Sequence, residues 1–282
     1  MRKISLSMII LSLIIIGMLI PVGFSANDNS QAVITYGETT QHNANYKAIV
    51  DDFFVKQANV DLNSVESKII TADEVNQIAS TITGKVYNSN QIFSSALVDL
   101  NDNDDLEVSV DKSKITTITG DMYLSALKSV GITSGHVYVT SPITATGESA
   151  LAGIMNSYEV ATDVEIPEPV KEAANKEIYT QAEIVENSNV SADELSKLVD
   201  DVKETVQEEN ITDHATIVNI INNYTINYNI NISNNDIENL ADSIEQIQNV
   251  QGDINSYQSQ VSDVLGSVDT DSAKGFLSGL FN

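Results

Sequence analysis

Two prolines set two positions apart divide the chain into parts with different patterns. Pro167 and Pro169 sit in Ile166-Pro167-Glu168-Pro169. Proline removes an amide donor and biases its predecessor away from helix, so this is a natural joint. Before it, strand-like and helix-like pieces alternate. After it, nearly every apolar residue falls at helical spacing. The expected organisation is a leader at residues 1–25, a first domain at 26–165 and a helical region at 166–282. The expected fold class is an α/β or α+β N-terminal domain with a small mixed sheet, followed by an all-α C-terminal region.

Within the first part, residues 32–36 are a short β-prone run ended by Gly37, and residues 43–56 carry Tyr46, Ile49, Val50, Phe53 and Phe54 at helical spacing. Residues 67–71 predict a strand that runs into Thr71-Ala72-Asp73-Glu74, a capping box that starts a helix. Residues 91–100 and 106–111 predict two strands joined as a hairpin by the polar turn 101–105. Met122, Ala126, Leu127 and Val130 line one face of a helix, Val137 to Val139 predict a strand, and Ala150, Leu151, Ile154, Met155 and Tyr158 line another helix.

In the second part Thr180, Ser191 and Ser233 each stand three residues before an acid and predict helix starts. Residues 237–268 keep the apolar spacing across Gly252-Asp253, which predicts two helices with a break there. Residues 226–232 alternate Ile and Tyr with Asn and predict an extended connection between helices.

The N-terminus predicts export. Arg2 and Lys3 precede an apolar run over residues 4–20, and Gly23 and Ser25 are small residues placed for cleavage before Ala26. The alternative is a retained membrane anchor, the run being near the lower length that spans a bilayer. Either outcome leaves the remainder outside the cytoplasm. Removing residues 1–25 takes away two basic residues and no acidic ones, which moves the formal charge from −26 to −28. Such a chain is repelled by phosphate backbones and anionic headgroups, so nucleic acid is excluded as a partner and a membrane contact is confined to an uncleaved N-terminus. The absence of cysteine excludes disulfides, thiol nucleophiles and thiolate metal sites, so the core alone must hold the fold. The absence of tryptophan argues against a sugar-stacking groove.

One segment carries a resemblance. Met122-Tyr123 with Ala126-Leu127, then Gly131, then Val137 through Pro142, then Gly147 with Ala150-Leu151 and Gly153, and finally Tyr158-Glu159 closely resemble the YpuA-like family of secreted proteins, the domain of unknown function 1002. Weaker similarity extends from Val33-Thr35-Gly37 to about Val250. The resemblance implies export and an α/β part followed by a helical part. It implies no catalytic residue, because the family has no established activity. The family has a short glycine-containing turn where this chain has 101–105.

That turn holds the sharpest candidate site. Asp99, Asn101 and Asn103, with Asp105, offer closely spaced oxygens of the kind a hard cation such as calcium takes. The EF-hand pattern then fails, with Asp104 where glycine is needed and Val110 where glutamate is needed. An ordinary turn, in which Asn and Asp bond their own backbone, explains the same residues. His42, His136 and His214 have no ligand partner at motif spacing. Gly147-Glu148-Ser149-Ala150 lacks the nucleophile elbow pattern, and Ser149 is expected in the first turn of its helix. Glu159, Asp163 and Glu165 are close enough in sequence to supply paired carboxylates, though 40 acidic residues produce such clusters by chance. The apolar positions Phe276, Leu277, Leu280 and Phe281 are expected to dock on the core.

The expectation that follows is an exported extracytoplasmic protein, binding or structural in the cell envelope, with an unidentified envelope or extracellular partner, no catalytic set and no cofactor. The alternatives are a carboxylate-dependent envelope hydrolase and a calcium-dependent adhesive or structural protein.

Overall fold

The computed structural model describes residues 31–101 and 105–265. The expected leader, Asp102 to Asp104 and the apolar positions after residue 265 lie outside the described residues. The first half runs β1 (Ala32–Gly37), α1 (Glu38–Gln41), α2 (Ala44–Ala58), β2 (Glu66–Ile70), α3 (Ala72–Ile82), β3 (Ser95–Asp99), β4 (Glu107–Val110), α4 (Gly120–Ser129), β5 (His136–Thr140) and α5 (Ser149–Thr162). The second half is helical: α6 (Glu168–Asn187), α7 (Ala192–Glu208), α8 (His214–Tyr228), α9 (Asn234–Asn249) and α10 (Gln251–Leu265). The small mixed sheet followed by helices is the expected fold class.

Among the described residues the five strands form one sheet in the order β2-β1-β3-β5-β4. The β1–β2 and β4–β5 pairs are parallel, and the β1–β3 and β3–β5 pairs are antiparallel. The predicted hairpin of the third and fourth strands is therefore wrong: β5 lies between β3 and β4, bonding Val98 to Val137 on one side and Val108 to Val137 on the other. Alternation along β3 and β5 explains why β5 takes that place. Ala96, Val98, Val137 and Val139 are fully buried on one face, while Leu97 and Tyr138 are buried on the other. A strand apolar on both faces belongs inside a sheet, and Glu107–Val110, whose residues are only half-buried or exposed, suits an edge.

One face packs on α5. Gly153 makes this close approach feasible, since a Cβ there would stand 3.1 Å from Thr35 Cγ2 on β1. Thr35 Oγ1 and Ser157 Oγ, both buried, are hydrogen-bonded at 2.7 Å, so each buried hydroxyl has a partner. The opposite face packs on α2 through Ile34, Tyr36, Leu97, Val50 and Phe54. Tyr36 donates to Asp51 Oδ1 at 2.6 Å, and Lys47 pairs with Asp51 at 2.8 Å.

The apolar core does not stop at the proline joint. A single cluster includes Val98, Leu127 and Ile154 of the first half and Ile178, Val202, Ile221, Leu240 and Ile254 of the second. Helix α6 lies at its centre, buried on nearly every side, against α3, α4 and α5 as well as α7, α9 and α10. It starts at the joint, with Pro169 in its first turn, where the missing amide costs nothing. The predicted start at Thr180 is wrong for this reason: the T-x-x-E spacing is present, but the helix is already twelve residues old there and Thr180 is buried in its interior. The boxes at Thr71, Ser191 and Ser233 do form, each with reciprocal side-chain bonds to the third residue on.

Residues 226–228, expected to be extended, instead finish α8, which ends with Asn229 in the left-handed conformation. Ile221 and Thr225 are buried at helical spacing, so packing overrides the period-two pattern of the last residues. The two-helix expectation for residues 237 onward holds, with the break at Val250 and Gly252 inside the first turn of α10.

Candidate functional site

At the acidic turn, Asp99 closes β3 and its Oδ1 accepts hydrogen bonds from the backbone amide (2.9 Å) and the Nδ2 amide (2.5 Å) of Asn101. Asn101 Oδ1 in turn accepts from the amide of Gln31 at 3.1 Å. Asp105 bridges to Ser134. Asn103 lies outside the described residues. Asp99 and Asn101 thus share an Asx turn, in which Asp99 Oδ1 and Asn101 Oδ1 each accept from an amide.

His136 begins β5 and sits on the α2 side of the sheet. Its Nε2 is 2.9 Å from Ser109 Oγ, and its Nδ1 is 3.0 Å from the Tyr138 hydroxyl and 3.7 Å from Glu107 Oε2. Serine, histidine and acid are the residue types of a hydrolase triad. Here the tyrosine hydroxyl takes the orienting position on Nδ1, its ring is stacked on the imidazole at 4.1 Å, and Glu107 is mostly exposed. The group forms a cross-strand polar ladder.

Glu148 immediately precedes α5 and is 2% exposed. Its Oε1 has no hydrogen-bond partner among the described residues, and Lys85 Nζ stands 3.7 Å away, held also by Glu186 at 3.1 Å. Tyr87, Tyr123 and Tyr179 surround this charge. Burial pushes each phenol upward first, and the Glu148 carboxylate adds to the effect, so all three stay neutral donors. Ser149 occupies the first turn of α5, and no base is positioned on it among the described residues.

The densest polar cluster joins the two halves. Glu177 of α6 is fully buried, and its Oε1 accepts from Lys203 Nζ of α7 at 2.8 Å, Ser125 Oγ of α4 at 3.2 Å and Gln181 Nε2 at 3.3 Å. Lys203 Nζ also donates to Ser125 Oγ at 2.5 Å and lies 3.9 Å from Asp200 Oδ1. Ser125 has one hydroxyl proton, for which Glu177 and Asp200 are both acceptors. A serine beside a lysine is the pairing of a Ser–Lys dyad, but that lysine must be a neutral amine with a lone pair for the serine proton. Lys203 instead donates to a carboxylate, a hydroxyl and the Ser125 carbonyl, as an ammonium does. This cluster was visible in the sequence only as Glu177 and Gln181 falling on the apolar stripe of α6.

Glu159 bonds Lys171 at 2.7 Å and accepts the Ile166 amide at 2.9 Å, so it ties α5 to the start of α6, while Asp163 is the left-handed cap that ends α5. His214, the first residue of α8, bridges to α9 through Glu238 at 2.9 Å and Glu245 at 3.0 Å. Its pKa is raised, first by the bond to Glu238, then by Glu245 and Asp242, against some loss of hydration. Asp213, on its own side, adds a further negative charge. A group raised on folding contributes stability that is complete below the unfolded value near 6.5 and is lost as pH climbs through the folded value. The stability difference between wild type and His214→Gln is therefore expected to be largest below about pH 6.5 and to fade as pH climbs through the raised folded value, as read from urea midpoints across pH. A difference that grows with pH would contradict this.

A mixed five-stranded sheet followed by a helical second half is the structural class that the described residues define. The chain belongs to a family of unknown function, described as Protein of unknown function (DUF1002), whose model matches residues 36–264. It is 26% identical over 230 residues to "Uncharacterized protein YpuA" of Bacillus subtilis (strain 168), covering 78% of this chain and 77% of that protein. No solved structure gives a significant match. No helix among the described residues is long and apolar enough to cross a membrane.

Proposed function

We propose that this chain is an exported protein of the cell envelope that works by binding a partner with a basic surface, and not by catalysis. The observation that carries the reading is the Ser125–Lys203–Glu177 cluster. It sets a serine beside a lysine, the residue types of a nucleophilic dyad, and its ammonium is engaged by a buried carboxylate and a serine oxygen. Buried in that way, the cluster serves to join α4, α6 and α7. Export is supported by Arg2, Lys3 and the apolar run over residues 4–20. The net charge of −26 favours cationic partners and opposes nucleic acid and anionic lipid.

Cell fractionation with N-terminal sequencing of the recovered protein tests the location, and a fluorophosphonate probe tests the chemistry. The expected result is a protein outside the cytoplasm beginning at Ala26, unlabelled by the probe. Recovery from the cytoplasm with Met1 in place would overturn export. Probe labelling that disappears in Ser125→Ala would overturn the non-catalytic reading.

A further inference from the structure

The polar contacts of His214 form a set with a different capability from the buried clusters. Glu238, Asp242 and Glu245 are spaced by four and three residues, so α9 presents all of them on one face, toward the first residue of α8. Imidazole Nδ1 is 3.0 Å from Glu245 Oε2 and 3.5 Å from Asp242 Oδ1. One donor atom from each of His214, Asp242 and Glu245 lies within 4.8 Å of the other two. Donors bound tetrahedrally at about 2.1 Å to one ion lie about 3.4 Å apart, so rotamer shifts on the order of an ångström bring this set to bonding distance.

We propose that His214 Nδ1, Asp242 and Glu245 form a binding site for a divalent transition metal of the zinc class. Chemistry of the donors selects the metal: one imidazole nitrogen and two carboxylates suit zinc or cobalt, whereas calcium and magnesium require oxygen shells. The position of Glu238 supplies an independent argument. Its Oε2, 2.9 Å from Nε2, accepts the proton of that nitrogen and fixes the tautomer whose lone pair is on Nδ1, facing the two ligand carboxylates. Three protein ligands leave room for water on the ion. The site fastens the start of α8 to the middle of α9, so occupancy stabilises the helical half.

The same geometry also suits an imidazolium shared among carboxylates, and the two occupants compete for one place. Metal binding therefore displaces the Nδ1 proton, and it strengthens as pH rises. This competition makes the proposal testable on the full chain, independently of where the protein works. The metals used are zinc and cobalt chloride, titrated by calorimetry in a non-chelating buffer at about pH 7.5 and about pH 5.5.

The expected result is one saturating equivalent at the higher pH, release of a proton in buffers of different ionisation heat, and visible tetrahedral d–d bands with cobalt. Affinity falls by about 10–100-fold in Glu238→Gln, the loss typical of an outer-shell partner. Saturable binding is abolished in His214→Gln, whose circular dichroism stays that of wild type because the side chain is at the surface. The Asp242→Asn, Glu245→Gln double variant repeats that loss with the histidine intact. Weak, non-saturating uptake that is unchanged in His214→Gln would overturn the site and reduce the metal to diffuse attraction by surface carboxylates. Equal response to calcium and zinc would overturn the assignment of metal class.

Discussion

Lys203→Met is expected to lower the unfolding free energy by about 3–5 kcal/mol, a large part of the stability of a domain of this size. The reason lies in Glu177. That carboxylate is fully buried, and Lys203 supplies the only cation within salt-bridge distance of it among the described residues. Methionine fills a similar volume, so the effect is electrostatic: a charge remains in the interior with two neutral donors, Ser125 and Gln181, and no counter-charge. The double variant Lys203→Met, Glu177→Met is expected to recover most of the loss, because a buried ion pair replaced by apolar residues is often neutral in cost. Urea unfolding of the two single variants and the double closes the cycle. A single-variant loss below about 1 kcal/mol would mean that Glu177 is hydrated or protonated in the fold, and the cluster would no longer serve to join α4, α6 and α7.

The fold was legible where local chemistry and packing agree. The capping boxes at Thr71, Ser191 and Ser233 name helix starts because each side chain satisfies an amide that nothing else can reach. The same spacing at Thr180 misleads because a box is read locally, while the helix had already begun at the proline joint. Strand positions were legible from alternation, but strand order was not. Whether β3 pairs with β4 or takes in β5 depends on contacts forty residues away, and the polar turn between them suits either. The end of α8 was hidden by Asn and Ile alternation, which Ile221 and Thr225 overrule by burial.

Sites were less legible than elements. The acidic turn announced itself because its oxygens are adjacent in sequence, and Asp99 uses that adjacency to bond Asn101. Ser125, Glu177 and Lys203 lie on three helices, and His214 stands 31 residues from Glu245. No spacing within one chain segment encodes such meetings. They follow from which faces α4, α6, α7, α8 and α9 turn toward one another.

Gly147→Ala is expected to cost about 2–4 kcal/mol, combining the strain of an unfavourable backbone conformation with overpacking. Gly147 has φ +115, a region that side chains rarely enter, and a Cβ there would stand 2.8 Å from both Ile115 Cγ2 and the Tyr123 hydroxyl. Neither neighbour can yield easily. Tyr123 is fully buried, and its hydroxyl donates to the Gly147 carbonyl at 2.5 Å, which pins the ring to the same backbone that the new methyl would disturb. The tyrosine is held as the neutral donor by burial first and by Glu148 second, so this bond persists across the working pH range. Glycine at 147 thus sets the entry of α5 and, through it, the place of Glu148. Gly252→Ala is the matched control: it lies in α10 with open space around the added carbon, and is expected to be stabilising by about 0.4–1 kcal/mol. Urea midpoints measure both, with Tyr123→Phe added to separate the clash from the backbone term. If Gly147→Ala unfolds within about 0.5 kcal/mol of wild type, the turn relaxes freely and the buried Tyr123–Gly147 bond does not fix the start of the helix.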